Sequence, residues 1–449
     1  MIYLQIAGAK ILVVGMARSG LAAVELLLEK GAHPVATDQT PLAELPDAAR
    51  QLASLGVPFQ VQAPALFEAC DGIVISPGVP ADLPPLEEAR RRGVPVMGEV
   101  ELAFAYLQGR IIGVTGANGK TTTTALIGHI LQSCGVPVQV GGNIGTPPAS
   151  MVPSSRPDQW NVLELSSFQL ETTERFRADV GVVLNVTPDH LDRHHTFENY
   201  AAAKGRLFST QQPGDVAVLN ADDPTCAAYA SLTRGRVLWF SLERPVSPGA
   251  WLQDEKLYVD GHLLMAAAEI PLRGRHNIEN TLGATLAALQ TGAPLADIAA
   301  AIRTFPGVEH RIEFVRKVSG VDFYNDSKAT NVDATLKSIA AFHGPLWIIL
   351  GGKDKGSDYR PLRAPLAAKA RAALLIGAAA KKIAGHLEGS VPLIECGTLD
   401  AAVRQACDQA HPGDTILLAP ACASFDQFTG YEQRGRVFKD LVAHLEGKA

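Results

Sequence analysis

A glycine-rich stretch, GVTGANGKTTT (113–123), contains the residue types that bind phosphate. Gly116 and Gly119 let backbone N–H groups turn toward an anion, and the helix pattern that follows points its positive end at the same place. Lys120 can reach terminal phosphates, and the hydroxyl of Thr121 can bind magnesium. In the usual pattern, G-x-x-x-x-G-K-[ST], the first glycine would stand at position 114, whereas this chain has valine there and glycine at 113. We still predict nucleotide binding, because the other parts occur in the required order; a chance glycine turn is the alternative.

Two further apolar strand patterns lead to side chains that could act with this loop. Glu164 ends the apolar part of WNVLELSS (160–167), where a buried glutamate is an unpaired charge unless a cation such as magnesium binds it. His190 follows a second apolar pattern, VGVVLNV (180–186). Open parallel sheets bind ligands at the carboxyl ends of their strands. We therefore expect Glu164 and His190 to lie in one crevice with the lysine and threonine of the loop.

A zinc site is an alternative use of the histidines in this region. His190, His194 and His195 stand close in sequence to Asp189 and Asp192. Zinc needs closely oriented nitrogen ligands with supporting hydrogen bonds, which sequence spacing does not establish. We expect His194 and His195 to be loop residues instead.

The elements that must position these groups are strands alternating with helices. Continuous apolar runs indicate buried strands, as in KILVVG (10–15), RIIGVTG (110–116) and PLWIILGG (345–352). Such strands separated by helices predict parallel sheets covered on both faces. KLYVDGHLL (256–264) adds a hairpin signal, because Asp-Gly stands between two apolar runs. We predict an α/β chain of three domains, at 1–97, 98–305 and 306–449, with RTFPGVEHR (303–311) as the last linker.

Composition narrows the class of protein. The 449 residues are 47% hydrophobic and 19% charged, which is typical of a globular chain of several domains. The net charge of −6 argues against a nucleic-acid partner. The six cysteines include no C-x-x-C pair, which favours reduced thiols in the cytoplasm. No signal peptide is evident, and no run reaches the ~18 apolar residues that a membrane span needs.

A second glycine-rich loop lies near the beginning of the chain. Residues 15–20 form a G-x-G-x-x-G pattern whose middle glycine is replaced by alanine. Asp38 ends the next strand pattern, as a ribose-binding acid does in dinucleotide-binding folds. Taken alone, this loop indicates a dinucleotide oxidoreductase. The loop at 113–123 makes that class the weaker interpretation.

Together, these motifs resemble the Mur ligase family, the ATP-dependent amide-forming enzymes of peptidoglycan precursor synthesis. TGANGKTT is similar to the family's T-G-x-N-G-K-[ST]-T loop, which explains the displaced glycine. The other motifs match in order along the whole chain: GNIG (142–145), ELSSFQL (164–170), NVTPDHLDRH (185–194), GRHNIEN (274–280), EHR (309–311), NDSKATN (325–331) and SFDQF (424–428). ELSSFQL, NDSKATN and PACASFDQF bring the chain closest to the members that add D-glutamate.

The resemblance implies a fold and a reaction. It implies a Rossmann-like N-terminal domain that binds a UDP-sugar, a central P-loop ATPase domain, and a Rossmann-like C-terminal domain that binds an amino acid. The carboxylate of UDP-N-acetylmuramoyl-L-alanine would attack the γ-phosphate of ATP, and the amine of D-glutamate would then attack the acyl phosphate. We expect a monomer whose third domain closes onto the other two. Another amino-acid-specific Mur ligase, a folylpolyglutamate-synthase-like ligase and a non-enzymatic nucleotide-binding module remain alternatives.

The resemblance also implies the residues that bind ATP and two magnesium ions. Lys120, His190 and Lys204 are the implied catalytic residues. Lys204 falls where the family has a lysine carbamylated by carbon dioxide, and an ordinary solvated helix lysine is the alternative. The implied ATP contacts are Gly116, Asn118, Gly119, Lys120, Thr121, Thr122, Asn277, Asn280, Arg311 and Asp326, with His310 nearby. The implied magnesium ligands are Thr121, Glu164, His190 and carbamylated Lys204.

The implied substrate contacts form several groups along the chain. Toward the uridine diphosphate of the UDP-sugar, the resemblance implies Ser19, Asp38 and Ser76, and it adds Asn143 and Ser166 as further substrate contacts. Toward glutamate, it implies Lys328, Thr330, Lys355, Ser424, Phe425 and Tyr431. A dicarboxylate needs cations and hydroxyl donors, which this second set supplies. Lys353 is a competitor for the role of Lys355, and the motifs assign no role to Arg18 or Gln39.

Overall fold

The computed structural model describes residues 6–445, without the side chain of Asp192. The described chain divides into two compact units. The first unit runs to Ile270 and includes Ile278–Phe305, and the second consists of Pro271–Asn277 and the chain from Pro306 onward. The predicted boundaries near residues 97 and 305 stay predictions.

Five strands near the start of the described chain form a parallel sheet in the order β3-β2-β1-β4-β5. The order reverses beside β1, which opens a crevice at the carboxyl ends of β1 and β4. The strands are β1 Lys10–Val14, β2 His33–Asp38, β3 Phe59–Val61, β4 Gly72–Ile75 and β5 Val96–Gly98. The helices are α1 Arg18–Glu29, α2 Pro46–Leu55, α3 Pro64–Glu68, α4 Pro84–Arg91 and α5 Glu99–Phe104.

Nine strands of the described first unit form a second sheet, in the order β14-β13-β12-β11-β10-β9-β6-β8-β7. It is parallel from β12 to β7, and the hairpin β13–β14 adds two antiparallel strands. The strands are β6 Arg110–Thr115, β7 Val138–Gly142, β8 Trp160–Glu164, β9 Val180–Val183, β10 Val216–Asn220, β11 Arg236–Ser241, β12 Gly249–Gln253, β13 Lys256–Val259 and β14 His262–Ala266. The helices are α6 Lys120–Ser133, α7 Pro148–Met151, α8 Ser167–Leu170, α9 Leu191–His194, α10 Phe197–Ser209, α11 Pro224–Ala228, α12 Arg275–Leu289 and α13 Leu295–Arg303.

Six strands of the described second unit form a third sheet, in the order β15-β16-β20-β17-β18-β19. It is parallel except for the edge strand β15. The strands are β15 Glu313–Val318, β16 Val321–Asn325, β17 Leu346–Gly351, β18 Ala370–Ile376, β19 Leu393–Gly397 and β20 Thr415–Leu418. The helices are α14 Val332–Ala340, α15 Arg363–Lys369, α16 Ala380–Leu387, α17 Leu399–Gln409 and α18 Tyr431–Ala443.

The apolar runs explain why these segments form buried strands. The side chains of β4, β8 and β17 are buried along their whole length, as expected of parallel strands with helices on both faces. The predicted hairpin is also present, with Val259 opposite His262 on the two sides of its Asp-Gly turn. The α/β prediction with largely parallel sheets is therefore confirmed, although short edge strands such as β3 and β19 were not predicted.

Two general predictions concern thiols and membranes. The six cysteines are free, with Cys226 and Cys422 buried and the others half-buried. Within residues 6–445, no helix has both the length and the apolar character needed to cross a membrane.

Candidate active site

The loop after β6 is shaped by two glycines and by one asparagine that follows the neighbouring strand β9. Gly116 and Gly119 have φ values of 153° and 85°, which favour glycine. The backbone N–H of Ala117 donates to the carbonyl of Asn185 at 2.8 Å, and the backbone N–H of Asn118 donates to Oδ1 of Asn185, also at 2.8 Å. The loop is therefore held open ahead of α6, with the positive end of that helix behind it.

The predicted Asn280 lies directly against this loop. A Cβ atom built on Gly119 would stand 2.2 Å from the side-chain Oδ1 of Asn280, and the left-handed backbone at 119 also favours glycine. Asn277 lies on the same helix, α12, and is buried, with its Nδ2 donating to the carbonyl of Arg273 at 2.7 Å. Asn280 belongs to the first unit and Asn277 to the second.

Two lysines converge on one carbonyl of the loop. Nζ of Lys120 donates to the carbonyl of Gly116 at 2.9 Å, and Nζ of Lys204 donates to the same oxygen at 2.8 Å. Lys204 lies on α10, is 1% exposed, and has its Nζ 4.6 Å from the centre of the Tyr200 ring. Burial, and then the charge of Lys120, lower the pKa of Lys204 well below its usual value. The alternative of an ordinary solvated lysine is therefore wrong.

The predicted carboxylate lies beside this pair. Glu164 is 2% exposed at the end of β8, which is directly paired with β6. Its Oε1 accepts a hydrogen bond from Nδ2 of Asn143 at 2.9 Å, whereas its Oε2 is buried with no hydrogen-bond partner among the described residues. A buried carboxylate oxygen without a donor is costly unless a cation approaches it. Thr121, also buried, begins α6 beside the loop. These oxygens are the donors that magnesium prefers.

His190 stands at the beginning of α9 in a left-handed conformation, with φ of 53°. Its ring centre lies 4.8 Å from that of Phe168, and its Nε2 lies 3.5 Å from Oδ2 of Asp189. Phe168 stands four residues after Glu164, so the His190 ring lies beside the segment that follows β8. The pairing of β6 with β8 brings Lys120 and Thr121 near Glu164, and a crevice shared with His190 stays a prediction.

The two following histidines differ from the prediction and from each other. His194 is not a loop residue: it ends α9, is 5% exposed, and its Nε2 lies 2.9 Å from Oγ of Ser167. That prediction was wrong because packing against α8, rather than sequence context, decides burial. His195 does lie outside the helix, and its Nε2 is 3.4 Å from Oδ2 of Asp82. Among the described residues, which leave out the side chain of Asp192, no three His, Cys, Asp or Glu side chains are grouped to hold a metal ion.

A cavity of about 450 Å³ opens at the carboxyl ends of β1 and β4. It is lined by four predicted substrate residues, Ser19, Asp38, Ser76 and Asn143. It is also lined by residues to which the motifs gave no role: Arg18, Gln39, Thr40, Gln62 and Gln169. Because Asn143 both lines the cavity and donates to Glu164, the cavity reaches the side chain that ends β8.

Asp38 and Ser76 also build the rim of this cavity. Oδ2 of Asp38 accepts a hydrogen bond from the backbone N–H of Met16 at 2.7 Å, and its Oδ1 accepts one from Thr40 at 2.9 Å. Oγ of Ser76 donates to the carbonyl of Gly15 at 2.7 Å. Ser166 is not among the residues lining the described cavity; it caps α8, with its Oγ accepting from the backbone N–H of Gln169.

In the second unit, predicted residues gather where β16 ends. Asp326 is 7% exposed and accepts a hydrogen bond from Oγ of Ser338. Burial raises the pKa of Asp326, while Ser338 and the exposed Arg311 oppose that rise. Nζ of Lys328 lies 5.6 Å from the centre of the Tyr431 ring, and the backbone N–H of Thr330 donates to the carbonyl of Lys328 at 2.8 Å.

The remaining glutamate candidates lie on two neighbouring loops of the second unit. The backbone N–H of Lys353 donates to the carbonyl of Ala423 at 2.8 Å, which joins the loop carrying Lys355 to the loop carrying Ser424 and Phe425. Ser424 is buried, whereas Phe425 is 66% exposed. Lys353 and Lys355 are both exposed, so exposure does not separate these competitors.

Sequence reasoning did not predict Arg434, or the burial of His310, beside this region. Arg434 is 1% exposed and donates to the carbonyls of Ser327 at 2.8 Å and of Cys422 at 3.3 Å. His310 is also buried, at 3% exposed, and its Nδ1 accepts a hydrogen bond from Nδ2 of Asn325 at 2.9 Å. Neither position carries a local signal of burial, because charged or polar residues in a linker or on a helix are usually exposed.

Comparison with known proteins decides the family. The family model described as "Mur ligase MurD-like, N-terminal domain" matches residues 9–98, "Mur ligase middle domain" matches 114–288, and "Mur ligase, glutamate ligase domain" matches 310–422. A UDP-N-acetylmuramoylalanine–D-glutamate ligase from Solibacter usitatus is 65% identical over 445 residues, which cover 99% of this chain and 100% of that protein. The chain belongs to the Mur ligase family.

Other relatives of this Mur ligase agree. A protein of the same name from Acidobacterium capsulatum is 50% identical, covering 99% of this chain and 98% of that protein. Two solved structures from Thermotoga maritima share the fold. The UDP-N-acetylmuramate–alanine ligase has a TM-score of 0.61 at 18% identity, covering 97% of this chain and 99% of that chain. The MurF ligase in complex with ADP has a TM-score of 0.60 at 17% identity, covering 98% and 96%.

The family match confirms several predictions made from the motifs. The chain has the three Mur ligase domains, with α/β architecture, and it is an ATP-dependent ligase. The match also removes the dinucleotide-oxidoreductase interpretation of the loop at 15–20, because this loop lies within the Mur ligase N-terminal domain. The roles of individual residues stay predictions.

Proposed function

We propose that this Mur ligase joins D-glutamate to UDP-N-acetylmuramoyl-L-alanine through an acyl phosphate, in the cytoplasmic synthesis of peptidoglycan precursors. The observation that carries the proposal is the 65% identity, over nearly the whole of both chains, to a relative named for this ligation. The geometry of the first unit supports the reaction type, since Asn143 lines the cavity and donates to Glu164, at the end of the strand that pairs with the strand carrying the phosphate loop. We further propose that the protein acts as a monomer.

The phosphate loop would hold ATP for transfer to the substrate carboxylate. Backbone N–H groups from Gly116 to Thr122 would surround the β- and γ-phosphates, and Lys120 would turn from the loop carbonyls to the γ-phosphate. Asn277, Asn280, Arg311 and Asp326 would contact the rest of the nucleotide. Because both chemical steps concentrate negative charge, positioning and cations would supply most of the rate enhancement.

We propose that two magnesium ions bind beside the loop. Thr121 and Glu164 would hold one ion, and His190 with carbamylated Lys204 would hold the second. Oε2 of Glu164 is buried and has no hydrogen-bond partner among the described residues, and this observation supports a cation here. Bound magnesium would neutralise charge on the transferring phosphoryl group.

Carbamylation of Lys204 would convert a buried cation into a buried oxygen ligand. Lys204 is 1% exposed, and its Nζ is within hydrogen-bond distance of the loop carbonyl of Gly116. A positively charged amine at this position would repel both Lys120 and magnesium, whereas a carbamate would attract them. This change of sign is the physical reason to propose the modification.

The cavity of the first unit would bind the UDP-sugar substrate. Ser19, Asp38 and Ser76 would hold the uridine diphosphate end, with Arg18 available for the diphosphate charge. Asn143 would direct the acyl end toward Glu164, and Ser166 would lie along the same path. Glutamate would be held by residues of the second unit: Lys328, Thr330, Lys355, Ser424, Phe425 and Tyr431.

The experiment is phosphate release from ATP with magnesium and UDP-N-acetylmuramoyl-L-alanine. It is run with D-glutamate, L-glutamate, L-alanine, meso-diaminopimelate or no amino acid, and products are identified by mass. Turnover with D-glutamate alone is expected. Turnover with another amino acid would keep the mechanism and overturn the glutamate assignment. ATP binding without turnover under any condition would favour a nucleotide-binding module.

A matched variant tests the role of Lys204. Lys204→Met keeps the length of the side chain but cannot be carbamylated, so we expect loss of turnover with retained ATP binding. Intact-mass measurement of the native protein in bicarbonate, compared with the variant, tests for the added carbon dioxide directly. A variant with normal turnover would contradict the role.

A further inference from the structure

We propose that Asp354 is a positioning residue that fixes Lys355 for the carboxylate of the incoming amino acid, an inference that rests on the proposed function. Asp354 lies in the loop after β17, between Lys353 and Lys355. The motifs give this aspartate no role. The contacts of its carboxylate explain how the exposed neighbouring lysine could have a defined position.

The carboxylate of Asp354 holds the turn from one side. Its Oδ1 accepts a hydrogen bond from the backbone N–H of Ser357 at 3.3 Å, which closes a tight turn around Lys355. Gly356, inside this turn, has φ of 80°, a left-handed conformation that glycine adopts without strain. Lys355 therefore lies at the tip of a turn that is closed by the hydrogen bond from the Ser357 N–H to the Asp354 carboxylate.

Two other side chains hold the carboxylate itself. The hydroxyl of Tyr359 donates to Oδ1 of Asp354 at 2.8 Å, and Nζ of Lys382 on α16 donates to Oδ2 at 2.8 Å. The hydrogen bonds from Lys382 and then Tyr359 lower the pKa of Asp354 to about 2. Asp354 is thus a half-buried anion whose two carboxylate oxygens are each held by a side chain of the second unit.

The same network reaches the second glutamate-binding loop. Tyr359 is fully buried, and its hydroxyl lies 3.0 Å from Sγ of Cys422, which is also buried. Ser424 follows two residues later on that loop. Tyr359 therefore connects the turn that carries Lys355 with the loop that carries Ser424. A fixed separation of a cation and a hydroxyl is what a binding site for a dicarboxylate of one length requires.

Charge and position predict opposite effects when Asp354 is neutralised. Asp354 is the carboxylate among Lys353, Lys355 and Lys382, so its removal makes the region more positive. If electrostatic attraction alone mattered, Asp354→Asn would bind glutamate more tightly. If position matters, the same variant frees the turn and binds glutamate more weakly. The sign of the change in KM therefore separates the two explanations.

The experiment measures KM and kcat for all three substrates in the full-length protein. Asp354→Asn, Asp354→Glu and Tyr359→Phe are each expected to raise the KM for D-glutamate about tenfold, the loss of roughly one oriented charged contact. The KM values for ATP and for UDP-N-acetylmuramoyl-L-alanine, and kcat, are expected to stay near those of the wild type. Asp354→Glu keeps the charge but misplaces it, so its failure to restore binding identifies position as the cause.

Asp358→Asn is the matched control. Asp358 lies in the same loop, but its Oδ1 accepts hydrogen bonds from Arg360 instead of closing the turn. An unchanged or lower D-glutamate KM in Asp354→Asn would overturn the inference, as would a joint rise of all three KM values with a lower melting temperature. Absence of D-glutamate turnover in the wild type would overturn the proposed function itself, and the inference with it.

Discussion

Replacement of Glu99 by glutamine is predicted to remove a pH dependence from the stability of the first unit. Glu99 begins α5 and is 1% exposed. Its Oε1 accepts a hydrogen bond from the backbone N–H of Ala149 at 2.6 Å, and its Oε2 is buried without a hydrogen-bond partner in the described part of the chain. Burial raises the pKa of Glu99 from 4.5 to about 7.

The sign of the effect follows from proton binding. Because the folded state holds a proton on Glu99 more tightly than the unfolded chain, stability is greatest at low pH and is lost as pH rises from 4.5 through about 7. The full penalty corresponds to about 3 kcal/mol. About 1 kcal/mol of it is present at pH 5 and nearly all at pH 8, so Glu99 lowers the free energy of unfolding by about 2 kcal/mol over this range.

Glutamine has the same shape and does not titrate, so Glu99→Gln lacks this loss. Its amide nitrogen replaces the unpartnered oxygen, but that cost is the same at every pH and cancels from the comparison. Urea unfolding of both proteins at pH 5, 6, 7 and 8, followed by tryptophan fluorescence, measures the difference. Of the four tryptophans, Trp160, Trp239 and Trp251 lie in the first unit.

The control is Glu68→Gln, which changes an exposed glutamate in the same unit. We expect the stability difference between Glu99→Gln and the wild type to grow by about 2 kcal/mol from pH 5 to pH 8, and that of the control to stay constant. A difference for Glu99→Gln that does not change with pH would refute the reasoning, because it would mean that burial does not perturb this carboxyl.

Three further predictions concern single positions. Gly119→Ala should raise the KM for ATP at least about tenfold, because the added Cβ meets the side chain of Asn280. The control is Gly135→Ala, which is also left-handed but has open space around its Cβ, and it should leave the KM for ATP unchanged in the same kinetic assay. Glu164→Gln should raise the magnesium concentration for half-maximal turnover, measured after EDTA treatment and titration; an unchanged value would remove Glu164 from the metal site. Arg434→Met should destabilise the second unit by about 1–3 kcal/mol, because the carbonyls of Ser327 and Cys422 lose a hydrogen-bond donor. Hydrogen–deuterium exchange of peptides 325–331 and 420–428 tests this prediction, and unchanged exchange would contradict it.

Much of the fold could be predicted because its signals are local. Apolar runs such as 10–15 and 345–352 became buried parallel strands, and the Asp-Gly pair at 260–261 became the turn of a hairpin. Short strands such as β3 and β19 were missed because a few partly exposed residues carry little periodicity. Their pairing depends on neighbours far away in sequence.

The sequence by itself determined the chemistry of the phosphate loop and the family. Glycine, lysine and threonine at fixed spacing after an apolar strand are sufficient, because the backbone geometry of such a loop is local. Only the tertiary structure decided which side chains are buried around it. Lys204, His310 and Arg434 have ordinary sequence contexts, yet each is at most 3% exposed. Burial is set by the packing of distant elements, so the perturbed charges and cavity walls on which function depends emerge only when the chain is folded.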